Sequence, residues 1–341
     1  MSDTDEKSAP RGWLGGTSQL PDAGFWRARA ADNAADLATM KQAVLELRAR
    51  FGALDLPTSL RALAALAEGN HAFARLLQTD DDAVTLLREA GVPVPDEVMV
   101  VFPGAPDAVR GTVTADGAWV LDGTQARSVH AAAVNRALVV AATADGDRLF
   151  QVVLDAPGVV RDRSPVRTIA PEDPNGPVTF TRVPAEPVGS VAWWAGRDRS
   201  FVGLLRDAAC WLGTCVWLCR AVEATLAART DRGDLLRVGR VDVWVHTARL
   251  AMRDAVPAIE ADPSGRAAEL GARRAVAAVV TTADTVIRLV ASLSDARVSR
   301  QDVLLPTRVA QLQIALRRFD SEENLRAIGR LIAGGLVTGT D

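Results

Sequence analysis

Twice along this chain the spacing of apolar residues changes period, and the two changes divide it into three parts. From Phe25 to about Phe51 the sequence is rich in alanine, leucine and arginine and free of proline, and Leu37, Met40, Val44, Leu47 and Phe51 recur at helical spacing. That stretch predicts one amphipathic helix. Pro57-Thr58-Ser59 opens a second helical run through Leu60, Leu63, Leu66 and Ala67, and Asp80-Asp81-Asp82 places carboxylates at the start of a third through Leu86 and Leu87. At Gly91-Val92-Pro93-Val94-Pro95 helix gives way to valine, threonine, proline and glycine. Strands are predicted at Val98–Phe102, Gly111–Thr114, Ala118–Leu121, Ala137–Ala142, Phe150–Leu154 and Pro177–Phe180, with Asp-Gly turns at Asp116, Asp122 and Asp145. After Trp193-Trp194 a stripe of Phe201, Leu205, Ala208, Leu212, Val216, Cys219, Val222 and Leu226 restores the helical period. Further helical runs cover about 237–261, 264–292, 300–318 and 321–334, with breaks expected at Pro257, Pro263-Ser264-Gly265 and Ser294-Asp295.

The fold class that follows is α+β, in the order helices, sheet, helices. Residues 1–24 read as a loose arm, 25–97 as a short N-terminal helical domain, 98–190 as an antiparallel β-barrel or sandwich, and 195–336 as a four-helix-type bundle. At 341 residues the chain is long enough for this, and 48% hydrophobic with 24% charged residues is an ordinary globular composition.

Composition also narrows the chemistry. A net charge of −3 gives no global reason to bind nucleic acid or an anionic membrane surface. The longest apolar run, Ala208 to Cys219, is shorter than a bilayer span, and the polar N-terminus has no leader character, so a cytoplasmic protein is expected. Lys7 and Lys41, the only lysines, fit neither a phosphate loop nor a Schiff base. Cys210, Cys215 and Cys219 lie in one apolar stretch without metal-ligand spacing and read as small buried residues. His71, His130 and His246 fall in different parts of the chain, so no metal site is expected. No dinucleotide fingerprint, nucleophile elbow or zinc-protease motif is present.

The β-rich part carries a family resemblance. Gly117-Ala118-Trp119-Val120-Leu121-Asp122-Gly123-Thr124 is similar to the "dG-x-W-x-L-x-G-x-K" hairpin of the acyl-CoA dehydrogenase superfamily. Val134-Asn135-Arg136-Ala137-Leu138-Val139-Val140-Ala141 falls without a gap on its "A-D-x-x-L-V-x-A" strand. Phe150 through Pro157-Gly158-Val159 resembles "F-x-V-x-x-x-x-P-G-V", and Val178 to Pro184 resembles the exit "V-x-F-d-x-V-x-V-P". Gly213 to Arg229 and Gly233 reproduce the spacing from a mid-helix glycine to "R-x-x-F-G".

The resemblance implies FAD, an acyl-CoA or other acyl thioester substrate, and assembly into dimers or tetramers that share the cofactor site. It places the flavin beside the loop after Val98–Phe102, where "T-E-P-x-A-G-S-D" has become Val101-Phe102-Pro103-Gly104-Ala105-Pro106-Asp107. The tryptophan that packs on the flavin falls on Arg127 and the following Ser/Thr on Val129, with His130 alongside. Arg229 keeps the adenosine-side arginine, whereas Arg232 replaces the phenylalanine. The base that removes the α-proton while the β-hydride passes to flavin N5 would align with Asp320. The plainer reading of Asp320, and the favoured one, is an N-cap, with Glu322 and Glu323 in the first turn of a helix. The basic cluster Arg229, Arg232, Arg237 and Arg240 reads as a pyrophosphate contact or as a solvated helix face. Two functions follow from the resemblance. One is an FAD-dependent oxidoreductase, alone or as one subunit of a hetero-oligomer. The other is a flavin-free pseudoenzyme that pairs with an active homologue.

Overall fold

A computed structural model describes residues 23–32, 37–102, 108–128, 130–131, 134–161, 176–196, 200–226, 232–293, 304–317 and 319–337. The predicted first helix is two, α1 (Ala23–Asp32) and α2 (Leu37–Gly52), and α2 buries Met40, Ala43, Val44, Leu47 and Phe51. Helix α3 (Leu56–Gly69) starts where the Asp55 carboxylate accepts the Thr58 N–H at 2.8 Å, with Pro57 in the first turn, where its missing N–H costs nothing. Asn70, extended at φ −155°, ends α3 and caps α4 (His71–Glu89) by accepting the Phe73 N–H at 3.2 Å. Asp80, Asp81 and Asp82 therefore lie within α4 rather than at its start. Arg48 and Arg206 face them instead of a helix N-terminus.

Seven strands follow among the described residues: β1 (Met99–Phe102), β2 (Val109–Val113), β3 (Trp119–Ser128), β4 (Arg136–Thr143), β5 (Gly146–Val153), β6 (Val159–Arg161) and β7 (Gly176–Val188). The sheet is mixed, not wholly antiparallel as expected, because β1 and β2 both run parallel to β4 along one edge. The other pairings are antiparallel and lead from β2 through β3, β7 and β5 back to β4, so the sheet closes on itself, with β6 beside β7. Closure leaves few free edges and gives Val100, Phe102, Leu121, Phe150 and Phe180 a shared interior.

The helical remainder is α5 (Val191–Ala195), α6 (Val202–Leu226), α7 (Arg232–Ala261), α8 (Arg266–Leu293), α9 (Leu304–Arg317) and α10 (Ser321–Val337). Helix α7 runs through Pro257, where a break was expected; the proline is exposed and sits near the helix end. Helix α6 packs on α3, α8, α7, α4 and α9. A Cβ at Gly213 would collide with the backbone carbonyl of Ala64, so glycine is what lets α3 and α6 touch. Val202–Glu223 and Arg266–Ser292 are each long and apolar enough to cross a membrane, which the run Ala208–Cys219 alone did not indicate; these windows are 61% and 44% buried within the molecule. One apolar core runs from Trp26 through the sheet to Leu312, so the three parts share it.

Candidate functional site

Period-2 alternation along β1 turns Val100 and Phe102 into the closed sheet, and Met99 and Val101 outward toward Leu86, Leu138, Leu149, Val188, Trp193 and Trp194. Beside Val101 this outer cluster opens into a cavity of about 780 Å³. Helix α4 supplies Asp82 and Leu86, the β4–β5 hairpin Asp147, α5 Trp194, and the first turns of α6 Gly203 and Arg206. The volume lies in the usual range for a small-molecule site. Half-buried Trp194 and Val101 give it apolar wall, and Arg206 gives it a polar floor.

Ion pairs between distant segments hold that floor. Arg206 reaches Asp82 at 2.6 Å and Asp81 at 3.0 Å. Burial works against its charge, but the carboxylates of Asp82 and Asp81 outweigh burial and raise its pKa above the ordinary guanidinium value. One turn back along α4 Gln78 donates to Asp207 Oδ1 at 2.8 Å, and about one turn further Arg75 pairs with the same carboxylate, which fixes α4 against α6. Next to this network Cys210 donates to Gln78 at 3.6 Å, and burial pushes its thiol up to about 12. Cys219 is pushed up to about 12 and Cys215 also upward by burial, so all three are small core residues, as the sequence indicated.

The start of β1 is set by a buried clasp. Arg48 on α2 donates from Nε and Nη2 to Asp80, both at 2.8 Å, and also to the carbonyls of Pro95 at 2.8 Å and Glu97 at 2.5 Å. Asp80 Oδ1 accepts the Met99 N–H at 2.9 Å as well. Burial pushes the Asp80 carboxyl above its ordinary value despite these bonds. The clasp joins α2, α4 and β1, and so places Val101 at the cavity.

No protein-family model matches this chain, and no curated protein sequence does. Solved structures match over nearly its full length. A variant of the steroid ACAD Tcur3481–Tcur3483 is 20% identical and covers 92% of this chain and 97% of its own, with a TM-score of 0.70. Dibenzothiophene monooxygenase TdsC from Paenibacillus sp. A11-2 is 15% identical over 92% and 95%, at 0.73. A glutaryl-CoA dehydrogenase from Mycobacterium smegmatis is 15% identical over 95% and 98%, at 0.71. The fold is that of the acyl-CoA dehydrogenase superfamily.

On this acyl-CoA dehydrogenase fold the expected site residues are scattered. Val101 lines the cavity, but Phe102 is fully buried inside the sheet, so its ring reaches no open surface. The backbone of Arg127 continues β3, and its side chain lies outside the described residues, as do Val129 and Arg229. His130 follows β3 in a left-handed backbone conformation (φ 53°) and is 1% exposed. The neighbouring Ala131 carbonyl accepts from Arg161 at 2.7 Å. Asp320 is exposed, and its Oδ1 accepts the Glu323 N–H at 2.8 Å, the N-cap geometry of α10. It does not line the cavity; the adjacent Phe319 packs edge-on against Trp211 of α6, ring centroids 5.6 Å apart.

Sequence reasoning missed Arg206, Asp82, Gly203 and Asp147. The Asp82–Arg206 pair joins two helices separated by the entire sheet, and no local spacing signals it. Trp194, which the sequence marked only as the point where the helical period returns, packs in the outer cluster and also lines the cavity.

Proposed function

We propose that this chain is a flavin-dependent oxidoreductase that holds a flavin near the ends of β1 and β3 and admits its substrate through the cavity at Val101. The observation that carries this reading is that the cavity opens at the position the resemblance assigns to the flavin edge. Among the described residues β1 pairs along one edge, with β4, so backbone N–H and C=O groups on its other edge suit the hydrogen-bonding rim of a flavin even though Val101 offers only methyl groups. Structures of TdsC with FMN and of the glutaryl-CoA dehydrogenase with FADH2 support a flavin on this fold. A bound flavin supplies a two-electron acceptor; this chain's own residues orient the substrate on the Trp194 wall and shield the site from water. An acyl thioester is the substrate class the resemblance implies, with Asp320 to remove its α-proton.

That exposed, cap-forming Asp320 favours a second reading, a flavin-free partner of an active homologue. Assembly into dimers or tetramers is part of the proposal. The ChsE4–ChsE5 complex of Mycobacterium tuberculosis supports it, as do exposed Leu235, Leu236, Val243 and Leu250 along α7. Titration of FAD and of FMN into the purified chain, followed by quenching of flavin fluorescence, tests the first reading. Saturation near one flavin per chain supports it, and unchanged fluorescence with both flavins supports the second.

A further inference from the structure

We infer that a groove on the outer face of the closed sheet binds a small organic cation, a primary amine on an apolar body, at a site separate from the cavity at Val101. The groove has a volume of about 530 Å³, within the range of small-molecule sites. Strand alternation and register place it. Phe150 and Val152 of β5 point into the interior, and Leu149 points outward into the cluster under α4 and α5, so Gln151 and Val153 are the next outward positions along the strand. Across the ladders Glu186 of β7 stands opposite Gln151, and Arg136 of β4 stands opposite Val153. All four line the groove, together with Trp119 and Pro184. None of the residues that the resemblance assigns to flavin or substrate is among its described lining residues.

Two acceptors without donors carry the inference. Gln151 is 7% exposed, and its Oε1 is enclosed with no hydrogen-bond partner among the described residues. Folded proteins leave few buried amide oxygens in that state, because the lost hydration is not replaced. Directly opposite, the Glu186 side chain is exposed and pairs with no arginine or lysine among the described residues. Facing side chains on neighbouring strands start about 5 Å apart at Cβ, so one donor group between them reaches both oxygens. An ammonium brings three N–H donors and a charge for the carboxylate. The one cation in the described lining, Arg136, is already engaged, since its Nε donates to Glu97 Oε2 at 3.1 Å. Arg136 therefore offsets Glu97 and leaves the charge of Glu186 uncompensated. The walls select an apolar body: Val153 is an exposed branched side chain, Pro184 is exposed, and covering them beside Trp119 removes apolar surface from water.

The test is calorimetric titration of the full chain with 2-phenylethylamine and, separately, with 2-phenylethanol as its uncharged match. The expected result is saturable binding of the amine at one site per chain, weakened by added salt, with the alcohol weaker by about tenfold or more. Glu186→Gln removes the charge from an exposed side chain, so it should keep the circular dichroism spectrum and weaken the amine by about tenfold or more. Gln151→Met keeps the shape of the side chain, removes its acceptor and should also weaken the amine, without lowering the melting temperature. Absence of saturable amine binding, equal binding of amine and alcohol, or amine binding that neither variant weakens each overturns the inference. Flavin content, read separately by absorbance, keeps this claim apart from the oxidoreductase. Glu186→Gln should leave flavin content unchanged; a chain that takes the amine without flavin overturns the oxidoreductase alone, and loss of flavin in Glu186→Gln overturns the separateness of the groove.

Discussion

Replacing Arg48 by methionine tests the physical basis of the site. The Asp80 side chain is fully buried and that of Arg48 is 12% exposed, and the two share a bidentate bond with both contacts at 2.8 Å. Removing the guanidinium leaves the carboxylate with the Met99 N–H and takes a donor from the Pro95 and Glu97 carbonyls. Breaking a buried pair from one side costs about 3–5 kcal/mol, because a buried charge is left uncompensated. The sign with pH follows from burial. Asp80 already has a folded-state pKa above its ordinary 3.8, so its ionisation costs stability as pH rises from that value through the folded one, and loss of Arg48 widens this window upward. Urea denaturation of the Arg48→Met variant should therefore show a larger deficit at pH 7 than at pH 5. The double variant Arg48→Met/Asp80→Leu should recover most of the loss. A deficit below about 1 kcal/mol, the range of an exposed pair, or one equal at both pH values, refutes the clasp as the device that fixes β1.

Gly213→Val should lower the melting temperature, since overpacking against the Ala64 carbonyl costs about 1–3 kcal/mol and outweighs the gain in helix propensity. Asp320→Ala should cost about 1 kcal/mol by chemical denaturation and Asp320→Asn much less, because asparagine also caps. If Asp320 is the base, Asp320→Asn abolishes turnover of an acyl thioester while leaving stability near normal. The three thiols should resist an aromatic disulfide reagent in the native state at pH 8 and react together on unfolding, since burial holds Cys210 and Cys219 near 12 and Cys215 high.

Most of the fold was legible because it is written in local period. The stripe from Phe201 to Leu226 is α6, and the Asp-Gly turn at Asp145 joins β4 to β5. The motifs from Gly117 to Pro184 pointed to the fold that backbone similarity then showed. What misled was charge read locally. Asp80 to Asp82 looked like a helix start because acids favour N-termini, yet their partners Arg48 and Arg206 come from elsewhere in the chain. The parallel course of β1 beside β4 was equally hidden, since strand direction depends on the path between strands and not on their composition. The site was the least legible part. Val101 was found through the resemblance, but the cavity around it is assembled from five segments whose meeting no motif encodes.

The central claim is that this chain carries a flavin, and the visible absorption spectrum across its size-exclusion peak, recorded as purified and after incubation with FAD or FMN, tests it most directly. The account predicts flavin bands that co-elute with the protein at about one per chain, in a peak larger than a 36.1 kDa monomer. A colourless peak under all three conditions would contradict it.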